Sequence, residues 1–138
     1  MTVINAVAEN LPFHEHSFDF ALMATTVCFL SDIPEAFSEV RRILKPQGEI
    51  ILAIIDKNSD IGKKYEIEKS ENKFYKDAHF HSTQEITEYL KQAGFHNFSY
   101  WQTLAKVNAN ANANANEIEQ PKQGFGEGSF VVIKAIKN

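Results

Sequence analysis

Residues 49–56 read Glu-Ile-Ile-Leu-Ala-Ile-Ile-Asp, an unbroken apolar run between two acids. Four of its six central residues are isoleucine, whose branched Cβ favours an extended backbone. In a strand, successive side chains point to opposite faces, so a run with no polar alternate belongs to a strand covered on both sides. That is the pattern of a parallel sheet held between helices. Phe18–Ala24 (FDFALMA) is a second, less pure example.

The segment between the two runs reads as a helix. Asp32 and Glu35 have capping-box spacing, and Pro34 falls in the first turn, where its missing N–H costs nothing. Ile33, Phe37, Val40 and Leu44 recur at helical spacing as one apolar stripe, and Lys45-Pro46-Gln47-Gly48 turns the chain into the next strand. The design repeats downstream. Ser82 and Glu85 make a capping box, Ile86, Tyr89, Leu90 and Ala93 face inward, and Gly94 ends the helix. Phe95–Leu104 and Ser129–Lys137 read as two closing strands. The order strand, helix, strand, helix, strand, strand predicts a single α/β domain over residues 1–138. Its sheet is expected to be doubly wound and mostly parallel, with an antiparallel C-terminal hairpin.

Composition narrows the function. With 43% hydrophobic and 23% charged residues among 138, the chain can bury a core. A net charge of −4 argues against a nucleic-acid partner, and no basic run exceeds Arg41-Arg42 or Lys63-Lys64. The lone Cys28 excludes an internal disulfide or a paired-cysteine metal site, and reads as a small buried hydrophobe. No stretch is apolar enough for a membrane span or a signal peptide, which makes the cytoplasm the expected compartment.

Gly124-Phe125-Gly126-Glu127-Gly128 looks like a nucleotide loop, but such a loop must follow a strand and open a helix. Here a strand follows and the sequence stops, so the glycines are expected to form a turn or bulge of the closing hairpin. Asn108 to Asn116 alternates Asn with Ala, neither of which builds an apolar face, and residues 105–120 are expected to be a mobile loop.

Ala8-Glu9-Asn10-Leu11-Pro12-Phe13, Ser17-Phe18-Asp19 and Leu44-Lys45-Pro46-Gln47-Gly48 stand in a recognisable order. With the later Ser82–Phe95 stretch they resemble the class I S-adenosylmethionine-dependent methyltransferases, particularly the small-molecule branch. Gln47, where that family often has glycine, is the one departure. The resemblance implies S-adenosylmethionine as cofactor and a small-molecule methyl acceptor. It places Ala8 and Glu9 beside the adenine, and Met23, Ala24 and Thr25 beside the methionine and the transferable methyl. It also makes the opening decade the family's third strand and turn. The glycine loop and the ribose-binding acid then fall outside these residues, and the chain reads as incomplete.

Residues 57–81 form a long connection that the resemblance makes a lid or wall over the acceptor. It supplies the catalytic candidates Tyr75, His79 and His81, the two histidines sharing a face if extended. No third ligand accompanies that pair or His14 and His16, so no metal site is expected. Asp19 reads as structural. Two other readings compete with an enzyme. A partner-completed half-domain would dimerise through the exposed edge of the Phe18–Ala24 strand. A response-regulator-like module would use Asp56 as phosphoacceptor, but no second acid supports it.

Overall fold

The computed structural model describes residues 1–105 and 118–138. Its sheet runs β1 (Phe18–Ala24), β2 (Leu44–Ile55), β5 (Phe130–Lys137), β3 (Phe95–Thr103) and the two-residue β4 (Lys122–Gln123), in that spatial order. β1 and β2 are parallel, with Ala24 opposite Ala53, and the remaining pairings are antiparallel. This is the expected α/β class, with its parallel part confined to the β1–β2 pair.

α1 (Ile33–Ile43) and α3 (Thr83–Gln92) lie side by side on one face. Asp32 caps α1 by accepting from Glu35 N at 3.0 Å, as its position in the sequence predicts. Ile33, Phe37 and Val40 from α1, and Ile86 and Leu90 from α3, cluster with alternate strand residues Ile50, Leu52, Ile54, Val131 and Ile133. Phe37, Ile50, Leu52, Ile86, Leu90 and Ile133 are fully buried, each contributing roughly 1.5–3 kcal/mol over exposure.

The opposite face is barer. Phe20 and Leu22 alternate with the buried Met23, yet they are 65% and 64% exposed on the edge strand β1.

Several boundaries differ from expectation. Residues 1–6 form no strand, and Val7 and Asn10 make only an isolated bridge with each other, although β1's outer edge is unpaired among the described residues. Lys45–Gly48 is absorbed into β2 as an irregularity, where the register slips from Phe18 opposite Leu44 to Phe20 opposite Glu49. Leu44, expected on the helix stripe, instead opens β2 and is fully buried. The 57–81 connection contains a helix, α2 (Asp60–Glu68), capped by Ser59 accepting from Gly62 N at 3.0 Å. The Asn108–Asn116 repeat lies outside the described residues.

Candidate functional site

β1 and β2 end together, and the chain does something costly where they end. Thr25 donates its N–H to Ala53 O at 2.9 Å and then takes φ +49°, a left-handed backbone that a β-branched residue rarely adopts. Thr25 and Thr26 hydroxyls both donate to Ala24 O, at 2.8 and 3.0 Å, closing off the strand. A 3-10 turn, Val27–Phe29, follows.

A pocket of about 50 Å³ opens at this rim. Thr25, Val27 and Cys28 line it from the β1 side, Ala53–Ile55 from β2, and Tyr75, Phe80 and His81 from the connection. No lining residue is acidic or carries a lysine or arginine. Burial raises the Cys28 thiol above its ordinary value, so it stays neutral.

The connection is fastened over the pocket. His79 N–H donates to Cys28 O at 2.7 Å, and Lys57 N–H donates to His81 O at 3.0 Å. Tyr65 stacks on Tyr75 with centroids 4.9 Å apart, and Phe80 packs against both rings. His79 itself is exposed and does not line the pocket, whereas His81 does. His81 Nδ1 lies 3.3 Å from Glu85 Oε2, which also accepts from Ser82 N at 3.2 Å in the capping box of α3.

Asp56 holds that helix end in place. One of its oxygens accepts from Thr83 N and Thr83 Oγ1 at 3.1 and 2.6 Å, and the other from Asn58 N at 2.8 Å. It is buried with both oxygens engaged, an anchor rather than an accessible phosphoacceptor.

Ala8 and Glu9 begin a ribbon strapped to α1. Glu9 Oε1 accepts from Ser31 N and Asp32 N at 3.0 and 3.2 Å, and these bonds hold its carboxyl below the ordinary range. At the other end Glu39 Oε2 accepts from Leu11 N at 2.8 Å, while Arg42 donates to Leu11 O, Phe13 O and Glu39. Neither Glu39 nor Arg42 is evident from sequence spacing, because the groups they bind are backbone atoms about thirty positions away. Asp19 pairs with Lys45 at 3.1 Å on the surface.

The glycine run is a turn. Gly124 and Gly126 have positive φ, and Glu127 N and Gly128 N both donate to Gln102 Oε1, at 2.9 and 2.7 Å. It carries the chain past β3, from β4 on one side to β5 on the other, and so is not the tip of a two-stranded hairpin. Among the described residues no three His, Cys, Asp or Glu side chains group as metal ligands, and no helix is long and apolar enough to cross a membrane.

Comparison with known proteins adds independent findings. A methyltransferase-domain family model matches residues 1–52. An uncharacterized protein of Methanocaldococcus jannaschii is 42% identical over 98% of this chain and 63% of its own length. A Thermotoga maritima structure, described as an S-adenosylmethionine-dependent methyltransferase and possible histamine N-methyltransferase, superposes with a TM-score of 0.91. It is 45% identical, over 99% of this chain and 64% of that one. The Rickettsia typhi ubiquinone/menaquinone biosynthesis C-methyltransferase is 43% identical over 37% of this chain and 21% of its own. The chain thus spans less than two thirds of the length of these relatives.

Proposed function

We propose that the chain is part of a class I S-adenosylmethionine-dependent methyltransferase, to which its similarities point, and that it takes part in methyl transfer to a small-molecule acceptor by in-line displacement. The observation carrying this reading is the small uncharged pocket at the ends of the two parallel strands, beside the strained Thr25. Ligands of open α/β sheets sit at the carboxyl ends of their strands.

When bound, S-adenosylmethionine supplies an electrophilic methyl on a sulfonium. The residues present fit its methyl-bearing end. Ala24 and Thr25 are exposed at the rim, and the pocket beyond them is apolar enough to exclude water from the displacement. Met23, buried beneath, fixes the strand end rather than touching a ligand freely. Ala8 and Glu9 would border the adenine largely through their backbone, since Glu9 Oε1 is already committed. The 57–81 segment forms the acceptor wall. The Thermotoga neighbour's description, which names a small amine, supports an acceptor of that size.

Calorimetric titration of S-adenosylmethionine and S-adenosylhomocysteine into the 138-residue chain and into an upstream-extended one tests this. We expect binding in at least the extended chain, and binding to neither overturns the reading.

The exposed Phe20 and Leu22 on an edge strand favour a second reading, a domain completed by strand-edge pairing with a second copy. Sedimentation of the 138-residue chain should then show a dimer that Leu22→Lys returns to monomer. A wild-type chain that stays monomeric at high concentration refutes it.

A further inference from the structure

We propose that Ile86, with Val27 and Ile54, sets a size limit on the methyl acceptor. The cavity at the strand ends takes a short, unbranched, uncharged alkyl group of about three carbons and turns away rings and branched chains. This inference rests on the methyltransferase reading above, which makes the group that enters part of the acceptor.

Volume sets the limit. The cavity holds about 50 Å³. A water-sized group needs roughly 10–15 Å³ of such space, and an apolar cavity that takes benzene measures about 150 Å³. A carbon with its hydrogens is somewhat larger than a water, so the count comes to about three carbons.

The lining sets the chemistry. Val27, Ile54 and Ile86 are buried and supply aliphatic walls. No lining residue is an acid, a lysine or an arginine, so a charged group placed there would lose its water and gain no counter-charge. An alkyl group has no such cost and gains roughly fourfold in affinity for each methylene buried.

The limit is firm because each wall is pinned. Thr25 N–H donates to Ala53 O at 2.9 Å and joins the two strands at the mouth. Ile86 stands in α3, whose first turn is held by its capping box and by the bonds of Thr83 to Asp56. Its own N–H donates to Ser82 O at 3.1 Å. On the far side His79 N–H donates to Cys28 O, and Phe80 packs against Tyr65 and Tyr75 with centroids 5.9 and 6.2 Å away. A larger group could enter only by breaking one of these contacts. Ile86 belongs to the core cluster rather than to the 57–81 segment, so trimming it leaves that aromatic cluster in place.

Carbon-13 methyl NMR of the 138-residue chain tests the limit, with straight-chain 1-alkanols as uncharged probes. The Val27, Ile54 and Ile86 methyl signals should shift on titration. Affinity should rise roughly fourfold per carbon from methanol to 1-propanol, then level off through 1-pentanol. Phenol and 2-methyl-2-propanol should leave those signals unmoved at concentrations where 1-propanol shifts them. Ile86→Val deletes one carbon and should move the plateau out to 1-butanol. Val27→Ile adds one and should bring it back to ethanol. Both changes are small enough to keep the fold, which circular dichroism checks.

A plateau that both variants leave in place, affinity still climbing at 1-pentanol, phenol binding on a par with 1-propanol, or shifts confined to residues outside the cavity would each overturn the proposal. S-adenosylmethionine titrated into the upstream-extended chain separates the two readings. No cofactor binding there, with the plateau present, overturns the methyltransferase reading and leaves the cavity's size limit standing. Cofactor binding without a plateau overturns the size limit alone.

Discussion

Replacing Asp56 by Ala removes the tie between the end of β2 and the start of α3, the joint that sets where His81 stands. Two of the three bonds lost run to Thr83, which is fully buried. Hydrogen bonds to a charged group are worth about 1.5–3 kcal/mol each, and the low end for the two Thr83 bonds gives about 3 kcal/mol. The Asn58 bond is left out, because that amide is only partly buried and can turn to water. A domain of this size holds about 5–15 kcal/mol, so the variant should still fold. With a urea slope of about 2 kcal/mol/M, its midpoint should fall by about 1.5 M. Asp56→Asn keeps one acceptor oxygen and should recover about half of the loss. Thr83→Val removes the hydroxyl bond alone, and a double-mutant cycle with Asp56→Ala should show strong coupling. A loss below about 1 kcal/mol for Asp56→Ala, or additive effects in the cycle, would refute the anchor.

Glu39 carries a pH signature. Its bonds from Arg42 and Leu11 N hold its carboxyl below the ordinary 4.5, so the stability it contributes is present above that value and drains away as pH falls through the lowered one. Denaturant midpoints followed into acid should therefore drop more steeply in wild type than in Glu39→Gln, and parallel slopes would refute the assignment. The glycine turn predicts a contrast. Gly126→Ala meets nothing within 4 Å and should cost only the positive-φ strain, about 1 kcal/mol. Gly128→Ala puts a Cβ 2.5 Å from Thr103 O and should cost clearly more by thermal melting, and equal melting shifts would sink the turn reading.

What the sequence disclosed was whatever depends on local periodicity and capping. Phe18–Ala24 is a strand as read, and Asp32, Ser82 and Glu85 cap the helices their spacing announces. The helix Asp60–Glu68 escaped because its apolar positions are sparse and Gly62 sits in its first turn, a residue required there by the approach of Asp56 O. The resemblance makes the opening decade a strand and turn, but residues 1–6 form no strand, since strand pairing depends on a neighbour that local sequence does not supply. The pocket was half legible. The family resemblance pointed to Thr25 and to the 57–81 segment, yet only the folded chain separates His81 from His79. Two residues along an irregular connection can diverge completely in direction once backbone bonds such as that of His79 to Cys28 are made.

The strap between residues 8–13 and α1 has a mechanical corollary. A ribbon riveted at Glu9 and again at Arg42 cannot shift unless the helix beneath it shifts too. That helix seats Phe37 and Val40 in the protein's interior. Through Glu9, Glu39 and Arg42 the ribbon is thus tied to the middle of the fold, and its placement and the packing of the core stand or fall together.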